Sequence, residues 1–500
     1  MSHDRKEQRT TQQFEHYIGG RSQPPETGQY FPSDNPCTGQ DWAHIAQGTA
    51  PDINRAVDAA TLAFPGWAGL KPYLRGRHLS RLADLIDIHA DELARIEVQD
   101  NGKLYAEMSA QTHYIAQWYR YYGGLADKIE GSVIPTDKAD IFNFTRYEPL
   151  GVIGMITPWN SPLLLLSWKL AAALAAGNTV VIKPSEFTSA STLTFAKLFE
   201  SAGFPPGVVN VVTGFGNEAG AALVEHPGIA KIAFTGSDIS GQLIYQAAAR
   251  TIKHVSLELG GKSPNIVFAD ANLEAAIMGV ISGIFAAAGQ TCIAGSRLLV
   301  ERSIHDQLVE RLVAVAGAAH IGDPMDHTTH IGPIATAPQF KKVMEYIAIA
   351  KSEGARCVLG GESIRVAGLA GERFVQPTIF TNVNNSMRIA REEVFGPILA
   401  IIPFDTEEDA YAIANDTCYG LGAGVWTSDI ARALRAAERI QAGTIWINTY
   451  RALSYMSPFG GYKRSGVGRE GGIDAIKEYL QLKSVWISTN PDVANPFIMR

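Results

Sequence analysis

The sequence predicts an α/β protein with two doubly wound domains. From residue 150 onward, short apolar strands alternate with helices, which is the pattern of a parallel sheet covered on both faces. A second series of the same kind begins after residue 260. The chain has 500 residues, which is too many for one hydrophobic core. We therefore expect a crevice between two domains, with binding sites at the C-terminal ends of the strands.

Before residue 150 the periodicity is helical. Apolar residues recur at intervals of three and four over residues 50–64, 74–99 and 108–122. This spacing predicts three helices, the last of which ends at Gly123-Gly124. The first residues are polar and are expected to be disordered, and a strand and turn are expected at residues 17–20.

The two α/β series supply the remaining elements. In the first series, strands are predicted at residues 151–156, 179–182, 208–212, 229–234 and 254–257, and helices at 163–176 and 189–202. The second series has strands at 265–268 and 297–300, a helix that ends at Ala288, and further elements up to Asn448. The Gly-rich residues 457–472 are predicted to be loops. A last strand at 482–487 follows a finished domain and is expected to pair elsewhere, for instance with a partner subunit.

Composition excludes several classes of function. The protein is 46% hydrophobic and 19% charged with a net charge of -7, so no nucleic-acid surface is expected. The histidines and cysteines lack metal-ligand spacing. The longest apolar run, residues 163–176, is too short to cross a bilayer and contains Lys169, and no signal peptide precedes it. A cytoplasmic protein without membrane or metal partners is therefore predicted, and its four distant cysteines suit a reducing compartment.

Cys292 is the strongest candidate for chemistry. It follows Gly289-Gln290-Thr291 at the end of an apolar, Ala-rich stretch. A free thiol is either a small buried hydrophobe or a nucleophile. Groups that thiol chemistry on a carbonyl needs occur elsewhere in the chain and favour the nucleophile.

Two of these groups are an amide and a carboxylate. Asn160 follows a strand just ahead of a helix, so it either stabilises an oxyanion or caps the helix. Glu258 ends a strand and precedes Gly260-Gly261, at an edge where ligands bind. It is either a general base that activates water or a surface carboxylate paired with Lys262.

A dinucleotide site is the second hypothesis. Residues 236–241 begin and end with glycine, follow a strand and open a helix, and the N-terminus of a helix is a place where phosphate binds. Neither these residues nor the glycines around Gly216 match a Gly-x-Gly-x-x-Gly motif. Lys183 and Glu186 flank another strand-to-helix turn and can contact ribose hydroxyls. A carboxylate there favours NAD over NADP because it repels a 2′-phosphate. The plainer interpretations are a turn and a glutamate that stabilises a helix dipole.

Taken together and in order, these stretches resemble the NAD(P)-dependent aldehyde dehydrogenase superfamily, from about Tyr17 to Ile487. The motifs that carry the resemblance are Pro158-Trp159-Asn160, Lys183-Pro184-Ser185-Glu186, Phe234-Thr235-Gly236-Ser237, Glu258-Leu259-Gly260-Gly261-Lys262-Ser263-Pro264-Asn265, Gly289-Gln290-x-Cys292, Glu392-Glu393-Val394-Phe395-Gly396-Pro397 and Pro458-Phe459-Gly460-Gly461.

The resemblance implies a catalytic set. Cys292 matches the nucleophile that forms a thiohemiacetal and then a thioester. Asn160, with the backbone N–H of Cys292, matches the oxyanion hole, and Glu258 matches the base that activates water. Glu470 matches an acidic residue credited in some members with proton relay.

The resemblance also implies where cofactor and substrate bind. Lys183 and Glu186 match contacts to the adenosine ribose, Ser237 a pyrophosphate contact, Glu393 the nicotinamide-ribose contact, and Phe395 a neighbour of the nicotinamide. The full set of implied cofactor residues is Ile156, Thr157, Trp159, Lys183, Glu186, Gly216, Gly236, Ser237, Leu259, Glu393 and Phe395. The implied substrate tunnel contains Trp168, Arg451, Leu453 and Phe459.

Some positions depart from the common pattern. Ala287 replaces an Asn of many members, without an expected loss of activity. Ser161 and Leu453 stand where members acting on small aliphatic aldehydes have aromatic residues, so a wider tunnel is expected. Arg451 either holds an anionic group of the substrate or is solvated, and Trp168 argues against succinate semialdehyde.

The predicted function is NAD-dependent oxidation of an aldehyde to a carboxylic acid, with NADP as the alternative cofactor. Two other functions stay open: a CoA-acylating relative, against which Glu258 argues, and a non-catalytic member of the fold. The implied aldehyde-dehydrogenase-like architecture has a dinucleotide-binding domain (residues 1–130 and 149–260), a catalytic domain (261–465) and a small β oligomerisation element (131–148 and 479–490). A homodimer or homotetramer is expected.

Overall fold

The computed structural model describes residues 11–490 and 497. The disorder expected for the first ten residues lies outside this range. Within it, the first large sheet has eight strands. Their order from edge to edge is Gly466–Val467, His254–Glu258, Ile229–Thr235, Val152–Ile156, Thr179–Lys183, Val209–Val211, His16–Ile18 and Arg21–Gln23. The five central strands are parallel, and the three outer ones are antiparallel to their neighbours.

The second large sheet has seven strands within the described residues. Their order is Arg356–Leu359, Thr378–Thr381, Ile398–Phe404, Arg297–Glu301, Pro264–Val267, Gly422–Trp426 and Thr444–Ile447. Every neighbouring pair is parallel except the first. Most strands of both sheets are apolar and buried throughout, as expected for parallel sheets covered by helices on both faces.

Helices cover both sheets. The α-helices are Ala50–Gly69, Pro72–Asn101, Tyr105–Leu125, Pro162–Ala176, Ala190–Ser201, Ala221–Glu225, Asp238–Ala249, Leu273–Phe285, His305–Gly317, Ala337–Ser352, Arg388–Arg391, Glu407–Asn415 and Ile430–Arg439. Shorter helical turns are Gly216–Gly220, Ala286–Gly289, Arg302–Ile304, Lys463–Ser465 and Asp474–Tyr479. Within residues 11–490, no helix combines the length and the apolar character that a bilayer crossing requires.

The predicted end of the third helix at Gly123-Gly124 is wrong. The helix continues to Leu125, and Gly123 is part of a close helix crossing instead. A Cβ atom on Gly76 would lie 2.3 Å from the carbonyl oxygen of Gly123. These glycines therefore let two backbones touch and do not break the helix.

The other strands form small sheets. Gln12–Phe14, Gln40–Ala46 and Tyr30–Asn35 form one, and Ser363–Ile364 and Phe374–Val375 form another. A third joins Leu480–Ser488, Ile141–Pro149 and Val133–Ile134. The last strand thus pairs within its own chain, along Ile141–Pro149, as the family resemblance implied, and its other edge is open among the described residues. The Gly-rich residues predicted as loops contain one further strand, Gly466–Val467, which extends the first large sheet beside Glu258.

Candidate active site

Three side chains from distant parts of the chain line one recess. Asn160 lies in the loop after the strand Val152–Ile156, Glu258 ends the strand His254–Glu258, and Cys292 lies in the turn before the strand Arg297–Glu301. All three border a recess of about 120 Å³ at the C-terminal ends of the strands. The sequence placed an amide, a carboxylate and a thiol in one crevice, and the fold brings these groups together.

The turn that carries Cys292 is held in a strained backbone. Ala287, Ala288 and Gly289 have φ angles of 55°, 51° and 71°, and the two alanines occupy the left-handed region at a cost of about 1 kcal/mol each. A Cβ on Gly289 would lie 2.1 Å from the carbonyl oxygen of Gly396. The buried Gln290 side chain fixes the turn, since its Oε1 accepts from the backbone N–H of Ala335 at 2.9 Å.

Asn160 does not cap the helix that follows. Ser161 occupies the N-cap position of the helix Pro162–Ala176. The Asn160 amide donates to the carbonyl oxygen of Gln290 at 3.0 Å, two residues before Cys292 in the chain. An amide has two N–H donors, so the second one is available to an oxygen in the recess.

Burial controls the charge of the thiol. The pKa of Cys292 rises to about 12 because burial disfavours the thiolate, with further contributions from Glu393 and Glu258. At neutral pH the resting thiol is therefore protonated.

Glu258 is a buried carboxyl group and not a surface carboxylate. It is 5% exposed, and neither oxygen has a hydrogen-bond partner within the described residues. Its pKa is raised well above the usual range, first by burial and then by the charge of Glu470. A Cβ on Gly460 would lie 2.8 Å from the Oε1 atom of Glu258, so glycine at that position keeps space open beside the carboxyl group.

A groove of about 670 Å³ opens next to the recess. It is lined by Ile156, Thr157, Trp159, Lys183, Glu186, Gly216, Gly236 and Ser237. The remaining candidates for cofactor contact, Leu259, Glu393 and Phe395, line the recess itself with Cys292. The eleven residues expected to contact a dinucleotide therefore form one continuous surface that reaches the thiol.

The polar groups of the groove suit a dinucleotide. The Nζ atom of Lys183 lies 3.0 Å from the Oε2 atom of Glu186, so a cation and a carboxylate meet at the predicted ribose position. Ser237 is the N-cap of the helix Asp238–Ala249, whose first N–H groups favour an anion. The buried hydroxyls of Thr157 and Thr235 border the groove and lack a partner among the described residues.

Hydrogen bonds and a ring contact hold the inner end of the groove in place. The Oε1 atom of Glu393 accepts from the backbone N–H of Gly261 at 3.0 Å, and burial raises the pKa of Glu393 to about 7. Phe395 has a φ of 61°, and its carbonyl oxygen accepts from the Gln339 amide at 3.0 Å. Its ring meets Trp159 edge to face at 5.3 Å.

A separate tunnel of about 520 Å³ also reaches Cys292 and Asn160. Trp168, Arg451, Leu453 and Phe459, the four predicted tunnel residues, line it. The Trp168 ring stacks on Trp118 at 5.2 Å and meets Phe459 edge to face at 5.0 Å. The thiol is thus accessible both from a groove suited to a dinucleotide and from a tunnel that is partly lined by aromatic rings.

Residues 23–485 match the family model described as Aldehyde dehydrogenase family. A relative from Acinetobacter baylyi, (Z)-2-((N-methylformamido)methylene)-5-hydroxybutyrolactone dehydrogenase, is 46% identical over 98% of this chain and 100% of its own. The chain belongs to the aldehyde dehydrogenase family. The resemblance and the enzyme class predicted from the sequence, an NAD(P)-dependent oxidoreductase acting on aldehydes, are confirmed.

Solved aldehyde dehydrogenases share the fold. A single-residue variant of aldehyde dehydrogenase from Bacillus cereus matches with a TM-score of 0.94 and 44% identity, over 98% of this chain and 99% of its own. Betaine aldehyde dehydrogenase from Staphylococcus aureus, in complex with NAD+, matches with a TM-score of 0.95 and 38% identity, over 97% of each chain. The predicted aldehyde-dehydrogenase-like α/β fold is confirmed.

Behind the recess, this aldehyde dehydrogenase contains a buried ion pair. Lys169 and Glu470 contact each other, and both are almost completely buried. Glu470 also pairs through its backbone with Phe459 of the tunnel wall. The pair therefore links the tunnel wall to the surroundings of Glu258, whose pKa responds to both charges.

Sequence reasoning missed one wall of the aldehyde dehydrogenase tunnel. Lys103, Glu107, Gln111 and Tyr114 line it. Gln111 and Tyr114 lie in the helix predicted over residues 108–122, and Lys103 and Glu107 lie between the predicted helices, where no function was assigned. The only local signal was polar: Lys103 and Glu107 have opposite charges four residues apart, a spacing that also occurs on any solvated helix.

Proposed function

We propose that this enzyme oxidises its aldehyde substrate through a thioester on Cys292, with Asn160 and Glu258 as its partners. The observation that carries the proposal is that these three side chains line one recess, which joins the cofactor groove to the tunnel. A substrate carbonyl that enters by the tunnel reaches the thiol in this recess.

The first half of the reaction makes the covalent intermediate. The Cys292 sulfur adds to the carbonyl carbon and gives a thiohemiacetal. Since the pKa of the resting thiol is about 12, the S–H bond breaks as the C–S bond forms, and the proton passes to water. The free N–H of the Asn160 amide and the backbone N–H of Cys292 donate to the oxyanion.

The second half releases the acid. The residues that line the groove and the recess would hold NAD, which would supply the acceptor for the hydride that the thiohemiacetal carbon loses as the thioester forms. Glu258 then removes a proton from water, which attacks the thioester. The C–S bond then breaks, the Cys292 sulfur takes back a proton from Glu258, and the products are the carboxylic acid and the regenerated thiol.

NAD is the cofactor of this function, and the relative from Staphylococcus aureus is solved with NAD+. The CoA-acylating alternative is not favoured, because a family member that releases its thioester to CoA has no need of a base at Glu258. The test is NADH formation with a panel of aldehydes, with and without CoA. Acid as the product in both conditions supports hydrolysis, whereas acyl-CoA as the main product contradicts it.

Glu186 is expected to set the preference for NAD over NADP. In Glu186→Ser, we expect the ratio of kcat/KM for NAD to that for NADP to fall about tenfold or more, because the carboxylate no longer repels a 2′-phosphate. Steady-state kinetics with both cofactors measures this ratio. The matched control is Glu362→Gln, a change at an exposed glutamate, which should leave the ratio unchanged. An unchanged ratio in Glu186→Ser would contradict the assigned contact between Glu186 and the adenosine ribose.

A homo-oligomer is part of the same proposal. The strand Leu480–Ser488 forms one edge of its small sheet, so its backbone can pair with another chain. Leu482 and Trp486 on one face of this strand are 57% and 59% exposed. Exposed apolar side chains beside an open edge favour association.

The double variant Leu482→Lys with Trp486→Lys is expected to shift the enzyme towards the monomer, because four or more charges would face one another in each interface. Light scattering coupled to size exclusion measures the mass. Ile88→Lys, at a residue that is 73% exposed on the helix Pro72–Asn101, is the control that should keep the wild-type mass. A double variant of unchanged mass would mean that this sheet is not the interface.

The domain boundaries and the cytoplasmic location stay predictions from the sequence. The strands of the first large sheet come from residues 16–23, 152–258 and 466–467, which supports a dinucleotide-binding domain made from residues 1–130 and 149–260.

A further inference from the structure

Two cations surround one carboxylate in the tunnel wall. The Nζ atom of Lys103 lies 3.3 Å from the Oε1 atom of Glu107, and the Nη2 atom of Arg451 lies 3.3 Å from the same oxygen. The Gln111 amide also donates to this oxygen at 3.2 Å. Arg451 is therefore not a solvated loop residue, because it belongs to a network that spans the tunnel wall.

The network is built into the protein. Lys103 is 4% exposed, and its Nζ atom also donates to the Ser161 hydroxyl at 3.0 Å. Arg451 donates to the carbonyl oxygen of Ser282 at 3.2 Å and has a φ of 64°, a strained conformation that points to a functional constraint. These contacts hold both cations beside the open space that leads to Cys292.

The charges do not cancel. Lys103, Arg451 and Glu107 are the charged residues among those lining the tunnel in the described part of the chain, so two positive charges face one negative charge. Although burial opposes it, Lys103 and Arg451 hold the pKa of Glu107 below its usual value, and the carboxylate is ionised at neutral pH. The residues that line the tunnel therefore carry more positive than negative charge. The buried Glu97, which also interacts with Lys103, offsets this excess only in part because burial raises its pKa to about 7.

Hydrogen-bond donors are left over as well. An ammonium group has three donors and a guanidinium has five, which is more than the contacts of Lys103 and Arg451 use. The indole Nε1 of the buried Trp168, on the same tunnel, has no acceptor within the described residues. Excess positive charge and unused donors together describe a site that lacks an anionic acceptor.

We propose that Lys103 and Arg451, arranged around Glu107, form a subsite that binds a carboxylate carried by the aldehyde substrate. The substrate class is then an oxo acid whose aldehyde end reaches Cys292 while its acid end stays in the outer tunnel. This inference rests on the proposed function, since it concerns the substrate of that reaction.

The first test compares kcat/KM for adipate semialdehyde, hexanal and the trimethylammonium aldehyde of equal length. We expect the carboxylate to be preferred over hexanal about tenfold, as one charge-assisted contact provides, and the cation to be the poorest of the three. In Arg451→Gln this preference should fall about tenfold, mainly through KM. In Glu107→Gln it should increase, because the wall gains net positive charge.

The opposite responses of the two variants separate recognition from structural damage, which would lower the values for all aldehydes together. Arg365→Gln, at a side chain that is 86% exposed, is the control that should leave the preference unchanged. Oxidation of hexanal without any preference for the carboxylate would overturn the subsite and leave the reaction standing.

A second test does not require turnover. Iodoacetate and iodoacetamide differ in charge, and their rates of alkylation at Cys292 are measured by mass spectrometry. The rate ratio of the anion to the neutral reagent should fall in Arg451→Gln and rise in Glu107→Gln. An alkylation ratio that is the same in both variants and the wild type would overturn the subsite, even for an enzyme that oxidised none of the aldehydes. A lack of turnover alone would overturn only the proposed function.

Discussion

Cys292→Ala is expected to abolish aldehyde oxidation while NAD binding stays near that of the wild type. The variant lacks the only atom that forms the covalent intermediate, so a loss of about 10⁴-fold or more in kcat is expected. The turn should keep its shape, because Gln290 and the left-handed Gly289 hold it and the thiol does not. NADH appearance measures activity, and calorimetric titration with NAD measures binding.

The control for this prediction is Cys418→Ala, which removes an exposed cysteine and should keep full activity. Residual turnover by Cys292→Ala within about tenfold of the wild type would identify a different nucleophile, since removal of a nucleophile costs far more than that.

Glu258→Gln is expected to slow hydrolysis of the thioester by about 10²-fold or more, while the thioester still forms. The amide has nearly the same shape as the carboxyl group but cannot accept the proton of water. Rapid mixing should therefore show a burst of NADH close to one per active site, followed by slow turnover. If the NADH burst disappeared while hydrolysis of the thioester stayed fast, a residue other than Glu258 would be the general base.

The pH dependence follows from the raised pKa of Glu258. A carboxyl group with a raised pKa becomes protonated as the pH falls through that value, so hydrolysis in the wild type should slow on acidification and recover as the pH rises. The glutamine variant has no such group and should lose this limb of the profile. Glu310→Gln, at an exposed position, should keep it.

The same shift affects stability. Glu258 has no hydrogen-bond partner within the described residues, and burial opposes its ionisation. At neutral pH the unfolded chain ionises this group freely, so folding is opposed by the raised pKa. The glutamine variant is expected to be at least as stable as the wild type, which makes a loss of activity through unfolding easy to exclude.

Much of the fold followed from local pattern. Alternating apolar strands and helices predicted the two parallel series within a few residues, because most strands are buried on both faces and most helices present one apolar face to a sheet. The pattern failed at Gly123, where glycine serves a close helix contact, and at Gly466–Val467, where a short strand in a glycine-rich stretch is specified by its partner strand. Neither contact is visible in the neighbouring residues.

The candidate site was only partly accessible from sequence. The neighbouring residues alone allow Asn160 either to cap a helix or to bind an oxyanion, and allow Glu258 to be either a surface carboxylate in an ion pair or a general base. The order of the motifs along the whole chain decides between these roles. Lys103 and Glu107 were not found, since their meeting with Arg451 joins segments far apart in the chain. A charge that acts across tertiary contacts has no signature in helical periodicity.

The strand Gly466–Val467 has a consequence for how the enzyme assembles. It closes the outer edge of the strand that ends in Glu258, yet it is separated from that strand in sequence by the whole second sheet. During synthesis the edge stays bare until nearly all of the polypeptide has emerged. The N-terminal half of a nascent chain therefore exposes an unpaired strand edge that can associate with other chains. Because the two paired strands are far apart in sequence, we expect the catalytic centre to form later than the helices around it.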